Sequence, residues 1–408
     1  MSVKRLTSVD LNSIKLNAPL PHGLVDSHGI LLAQKGFVFQ TESILVSLAN
    51  RGSGFFVDFS DTSDPDLRLA GRAHTLQLQK RLRDQGALGD WFKFQITYVN
   101  LAADESKQKS LDWLELIEVF NAMLRTRDAK FFNRRLESIS AILIHQLSLN
   151  ADEALLALFY LSEKDTRHYS ATHGLLVCVI CTLTASKILR WSQADIDLLI
   201  RCALTMNIGM ADLQDDLALQ SGPIDMSQAF LISHHANLSV HILEQFGVVD
   251  EDWLSIVRLH HKTVAEPLQS ESHADRLIGL LNRADIFAAK LARRVSRSAQ
   301  LPSVAMKSIY IDTNAKTDAM GAAMIKAVGI YRPGSFVKLA SGEVGLVIRR
   351  NVNSAYPTVA VVLNREGVPV ASMATRDTSD RTYAVTANVP SSQVKVTLNL
   401  ETVLALGR

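Results

Sequence analysis

The sequence predicts a mainly α protein, with a helical core between a small mixed α/β N-terminal domain and a small C-terminal β region. Three observations predict it. From Leu111 to about residue 328, apolar side chains recur at helical spacing with few prolines. Near the N-terminus, HGLVDSHGILLAQKGFVF has apolar runs on both sides of Asp26-Ser27-His28-Gly29, with Gly36 beyond, which reads as a hairpin. From Tyr331 the texture alternates: RPGSFVKLASGEVGLVIRRN turns at Ser341-Gly342, and TVAVVLNREGVPV turns at Arg365-Glu366-Gly367. These changes divide the chain into residues 1–103, a helical connector 104–149, a helical domain 150–328 and the β region 329–408.

Bulk properties narrow the function classes. A chain of 408 residues supports two or three domains and a sizeable core. A formal charge of +2 offers no general case for nucleic acid or a membrane surface. Three cysteines argue against a disulfide framework and fit a reducing cytosol. The opening MSVKRLTSVDLNSIK lacks the apolar run of a signal peptide. Leu175 to Leu189, the most hydrophobic stretch, is shorter than the ~18–20 residues of a membrane span and reads as a core helix. The expectation is a cytoplasmic protein.

Four helical segments each place a metal-competent side chain on an apolar stripe. His173 shares a face with Val177 and Ile180, and His235 sits between Leu231 and Leu238. His260 follows Trp253, Ile256 and Val257, with His261 beside it, and Asp285 lies in line with Leu277, Leu281 and Ala288. Burying such groups costs several kcal/mol unless each is paired or bound to metal. Spacing alone leaves two readings open, a shared site and a set of satisfied core histidines. Cys178 and Cys181 form a C-x-x-C inside an apolar helix with no second pair, so core packing is the better reading. His168, His234 and His241 read as incidental or surface residues. There is no P-loop, dinucleotide fingerprint or Ser–His–Asp arrangement.

The order of these segments resembles the HD-GYP family. Tyr169-Ser170-Ala171-Thr172-His173-Gly174 is similar to its Y-T-x-x-H-S opening. His235 with Ser239 and Leu243 resembles its H-P-x-x-G-x-x-x-L helix, and LHHK, ending at Lys262, its H-H-E segment. RLIGLLNRADIFAA resembles the segment of its last aspartate ligand, and GIYRPGSFVKLASGEVGLVIRR its tail. The likeness runs from about residue 150 to 370, and PLPHGLVDSHGILLAQKG resembles a module often found ahead of such domains. The resemblance implies an HD-type helical core, a metal-dependent phosphodiesterase ancestry and cyclic di-GMP signalling. It also implies metal ligands at His173, His235, His260, His261 and Asp285.

Two departures stand out against that pattern. Where the family carries its H-D pair, this chain has Met206 and Asn207, and Met210 replaces a lysine that usually follows. The spacing of Ile196, Ile200 and Ala203 extends the helix through Asn207. A bridging aspartate holds two cations together and helps to position the attacking water; an amide is neutral and a poorer ligand, and a thioether is mismatched to manganese or ferrous iron. After His261 the chain reads Lys262-Thr263-Val264-Ala265-Glu266-Pro267, with neither the glutamate nor the G-Y-P loop.

Two functional readings follow. The first is a signalling or scaffolding protein that keeps the fold, and one divalent transition metal (Fe, Mn or Zn) or none, without efficient catalysis. The second is a working phosphodiesterase with a mononuclear site on His235, His260 and His261. Convergence of those three histidines on a bound metal separates them. Lys262 beside the histidines, and Arg294 with Arg293 and Arg297 on the following helix, are candidate ligand-binding cations; the alternative for each is a solvated face. Cyclic di-GMP or a related nucleotide and other signalling proteins are the expected partners, with no nucleic acid or membrane, and a homodimer is left open.

Overall fold

The computed structural model describes residues 111–311 and 317–408, with the N-terminal stretches 6–9, 20, 24–25, 31–33, 36–38 and 55–58. The chain divides into two compact units, Met1–Val119 and Phe120–Arg408. In the first, β1 (Leu6–Val9), β2 (Leu24–Val25), β3 (Leu31–Ala33) and β4 (Phe55–Asp58) form an antiparallel sheet in the order β1-β4-β2-β3. The expected hairpin is β2–β3, with Leu24 opposite Ala33 and Val25 opposite Leu31; its turn lies outside the described residues. The boundary between units falls inside helix α1 (Trp113–Leu124).

The second unit is a helical core. Its helices are α2 (Ala129–Leu149), α3 (Ala151–Lys164), α4 (Tyr169–Leu183), α5 (Gln193–Thr205), α6 (Ala211–Leu219) and α7 (Met226–Gln245). They are followed by α8 (Glu251–Leu259), α9 (His273–Leu291), α10 (Pro302–Tyr310) and α11 (Ala319–Val328). Their starts are set locally. Asp128, Asn150, Ser192, Asp225, Asp250, Ser272 and Asp318 each accept a backbone N–H that the first turn leaves unpaired.

Helix α4 is the axis of the core. All of Tyr169–Leu183 is buried, and it packs against α3, α5, α6 and α9. A π-helical turn, Thr184–Leu189, extends it until Arg190 takes the left-handed conformation that ends it. Tyr169–Leu189 is therefore long and apolar enough to cross a membrane, which corrects the shorter span expected from sequence. Most of it is enclosed by other helices, so burial rather than shortness makes it a core helix.

The C-terminal strands β5 (Phe336–Leu339), β6 (Val344–Arg349), β7 (Thr358–Leu363), β8 (Thr375–Asp377) and β9 (Val385–Val389) form one antiparallel sheet. Its order is β8-β7-β6-β5-β9, and a last helix, α12 (Leu400–Leu406), follows. Both expected turns fall between paired segments. The sheet is fastened to α3 by Arg332, which is fully buried, donates to Glu163 at 2.8 Å and lies 4.0 Å from the Phe159 ring centroid. Gly334 (φ +87°) makes that turn possible, because a Cβ there would stand 3.2 Å from Cβ of Phe159.

Candidate metal centre

The candidate ligands come from four elements of the core. His173 lies in the second turn of α4 and His235 in the middle of α7. His260 caps the C-terminus of α8, with His261 just beyond it, and Asp285 lies on α9. Helix α8 is anchored by buried Trp253, Leu254, Ile256 and Val257, and the Trp253 indole donates to Thr205 Oγ1 on α5 at 2.9 Å. Asn282 on α9 donates to the His260 carbonyl at 2.9 Å, which fixes the end of α8.

His235, His260 and His261 converge. The Nε2 atom of His235 lies 3.2 Å from Nε2 of His260 and 3.1 Å from Nε2 of His261. Among the described residues, these three form the one cluster whose ligand atoms come close enough together to hold a metal ion. Three nitrogens each about 2.0–2.1 Å from one tetrahedral ion would stand about 3.3 Å apart, so little movement is needed.

Tautomers decide what these nitrogens offer. Nδ1 of His235 lies 2.6 Å from the Ile232 carbonyl, and Nδ1 of His260 lies 2.7 Å from the Val257 carbonyl. A carbonyl can only accept, so both rings carry their proton on Nδ1 and present a bare lone pair at Nε2. Burial pushes both pKa values down, that of His260 to about 4, so neither ring takes a second proton at neutral pH. Facing lone pairs in a buried site repel each other unless a cation sits between them. The residues present therefore fit a metal ion, and the backbone carbonyls supply the outer hydrogen bonds that orient imidazole ligands.

The other half of the site is built differently. Nε2 of His173 lies 2.8 Å from Oδ1 of Asp285, so this ring points its proton at a carboxylate rather than a lone pair into the cluster. Burial would raise Asp285, but the hydrogen bond from His173 and the imidazoles of His173, His260 and His261 outweigh it and hold the carboxyl below its usual range. Nδ1 of His261 is 3.9 Å from Oδ2 of Asp285, near enough for attraction but not a hydrogen bond. The Tyr169 ring stacks parallel to His173 at 5.8 Å, closing that side.

Next to this half, Met206 is fully buried and caps α5. Asn207 does not continue the helix. Its backbone (φ −108°, ψ 11°) breaks α5 from the 3-10 turn Ile208–Met210, which corrects the expectation from spacing. The cause is a contact made far along the chain. Ser239, one turn beyond His235, donates to the Met206 carbonyl at 2.8 Å and accepts from the Gly209 N–H at 2.9 Å. Gly209 is required for this approach, since a Cβ there would lie 2.6 Å from Ser239 N and 2.7 Å from the His235 carbonyl oxygen. Sequence reading missed these roles of Ser239 and Gly209, although Ser239 falls four residues after His235. Oδ1 of Asn207 is buried without a hydrogen-bond partner among the described residues. Met210 is partly buried and carries no charge.

The remaining candidates separate from the centre. Lys262 is exposed and donates to Asp275 at 2.8 Å, so its charge is spent on a carboxylate rather than presented to the histidines. The rebuilt loop after it is pinned down: Pro267 rests on Gly279, and Arg283 donates to the Val264 carbonyl. Arg293, Arg294 and Arg297 lie beyond the end of α9 in a turn closed by Arg294 and Arg297, not on a helix. Arg294 covers the Tyr169 ring and donates to its hydroxyl at 3.1 Å. His234 and His241 are exposed, and the three cysteines are buried and unpaired. Burial raises Cys178 to about 12, which makes it inert as a nucleophile.

No family model matches the chain, and no curated protein matches it. Among solved structures, the fold is similar to a Bdellovibrio bacteriovorus protein described as an HDG"Y"P protein. The match covers 79% of this chain and 99% of that one, with 14% identity and a TM-score of 0.45.

Proposed function

We propose that the helical unit is a degenerate HD-GYP-type module of cyclic di-GMP signalling that binds one divalent transition metal and acts by regulation rather than turnover. The observation that carries the metal is the convergence of three Nε2 atoms from His235, His260 and His261, two of them fixed as lone-pair donors by backbone carbonyls. Imidazole ligands suit iron or zinc. Impaired hydrolysis follows from three features of this chain. Position 207 is an amide, position 206 a thioether, and His173 holds its proton against Asp285 instead of offering a ligand.

When bound, a metal would polarise a phosphate oxygen and acidify water. This chain's own residues would then divide the work. His235 and His260 orient the ligand set, Asp285 stays ionised and draws the Nδ1 proton of His261, and Asn207 contributes its amide without charge. Other signalling proteins would be the partners, in the cytosol.

A second reading, a mononuclear phosphodiesterase, is favoured by one observation. The His261 side chain is half exposed, so the triad keeps an open side for a substrate oxygen.

Elemental analysis of protein purified without chelators or added metal tests the metal. About one equivalent of iron, manganese or zinc per chain is expected, lost on His260→Ala; less than a tenth of an equivalent overturns it. Cyclic di-GMP hydrolysis then separates the readings. Turnover near 1 s⁻¹, the low end of ordinary enzymes, that vanishes with His260→Ala would replace regulation by catalysis.

A further inference from the structure

The start of helix α7 presents an apolar surface that is left uncovered among the described residues. Leu219 ends α6, Ile224 lies in the connecting turn, and Met226, Phe230 and Leu231 occupy the first turns of α7. Met226 is 91% exposed and Phe230 60%. Met226, Phe230 and His234 follow one another at four-residue spacing, and the Phe230 and His234 rings stack at 4.1 Å. The adjacent row of the same helix runs from Leu231 into buried His235, Ser239 and Leu243.

The surface is held rigid. Asp225 and Gln228 form a complete capping box, and the Gln220 and Gln228 amides exchange hydrogen bonds at 2.7 and 3.2 Å. That pair ties the end of α6 to the first turn of α7, so the apolar side chains are presented on a preformed scaffold. Preorganisation of this kind lowers the entropic cost of association.

Charge indicates what covers it. Between Asp216 and Glu244 the one formally charged side chain is Asp225, and its carboxylate is committed to the cap. Between Arg201 and Arg258 there is no lysine or arginine. An exposed helix normally carries charges of both signs, whereas the buried centre of a protein interface is depleted of charge and enriched in Met and Phe. A membrane-surface helix sets Lys or Arg beside its apolar face, and this segment has none. A surface that packs on its own copy about a two-fold axis must not repel itself, and a nearly neutral apolar ridge meets that condition. The five apolar residues expose roughly 500 Å² per copy, or about 1,000 Å² over two, the lower bound for a specific protein interface.

We infer that the α6–α7 corner is a homodimer interface, in which the Met226–Phe230 ridge packs on its two-fold mate. The two His235-bearing helices then lie together at the centre of the dimer.

Sedimentation velocity on the full chain, from about 1 to 100 μM, tests this. Wild-type protein is expected to reach twice the 44.9 kDa chain mass. Phe230→Glu counts twice in an isologous contact and should weaken association at least a hundredfold. Phe230 is exposed, so the far-UV circular dichroism of the variant should stay unchanged, while its thermal midpoint should lose the concentration dependence that dimerisation gives the wild type. Ala229→Cys, exposed beside the ridge, should form an intermolecular disulfide on mild oxidation, against a background of three buried native cysteines. Each of three results would overturn the inference: a wild-type monomer throughout the range, a dimer untouched by both Phe230→Glu and Met226→Glu, or binding to anionic vesicles that Phe230→Glu abolishes.

Discussion

Lowering the pH on metal-free protein should expose the cost of keeping His260 neutral. Its side chain has no solvent exposure, and its pKa is pushed to about 4, chiefly by burial. In the unfolded chain the same ring titrates near 6.5. Between those values the unfolded state binds the extra proton, so stability is fully present above about pH 6.5 and is lost as pH falls toward 4. A gap of about 2.5 units corresponds to roughly 3 kcal/mol in all, and about 2 kcal/mol of it is gone by pH 5. The perturbation is His260→Asn, whose amide N–H can still reach the Val257 carbonyl but does not titrate. Urea unfolding with a chelator at pH 7.5 and pH 5, followed by far-UV circular dichroism, gives the loss for each protein. His235 shifts in the same direction and is present in both proteins. Wild type should lose about 2 kcal/mol more than the variant. Equal losses would mean that His260 is not held neutral in the folded protein, and the lone-pair argument for the triad would fail with it.

Three further outcomes are expected. Gly209→Ala should destabilise by about 1–3 kcal/mol, because the new Cβ meets the backbone of Ser239 and His235 rather than a movable side chain; thermal unfolding measures it. Arg332→Met should cost about 3 kcal/mol or more by leaving Glu163 buried and unpaired, and Arg332→Met with Glu163→Gln should recover most of that in urea unfolding. Introducing a His-Asp pair with Met206→His and Asn207→Asp should raise bound metal from about one to about two equivalents by elemental analysis. An unchanged stoichiometry would show that the broken helix at 207, and not the absence of a carboxylate, limits the site.

The helical core and C-terminal sheet were legible because apolar periodicity and turn residues are local properties. Four of the candidate side chains were legible as burial sites for a related reason: His173, His235, His260 and Asp285 each stand as a polar group on an apolar stripe, as His235 does between Leu231 and Leu238. What escaped notice depends on partners distant in sequence. Ile196, Ile200 and Ala203 predict a helix through Asn207, and only the grip of Ser239 on Met206 and Gly209 ends it. No proline or glycine marks the end of α9; the Val295 N–H instead bonds to the Ala218 carbonyl, drawing the chain away before the arginines. The tautomers of His235 and His260 both rest on a carbonyl three residues earlier, a local contact that nevertheless depends on rotamers the sequence does not specify.

The two halves of the centre carry opposite protonation patterns, and under the proposed function this bears on the amide at position 207. His235 and His260 offer lone pairs, whereas His173 spends its proton on Asp285. For His173 to ligate through Nε2, that proton would have to leave and Asp285 would lose its hydrogen bond. Such an exchange is favourable when a second cation compensates, and a carboxylate at 207 would help to hold that cation. With an amide there, the His173–Asp285 pair is the arrangement with less unbalanced charge in a buried site. The amide at 207 and the closed pair at 173 and 285 are then two sides of one charge balance, and a single ion on the three converging histidines is the occupancy the proposed function rests on.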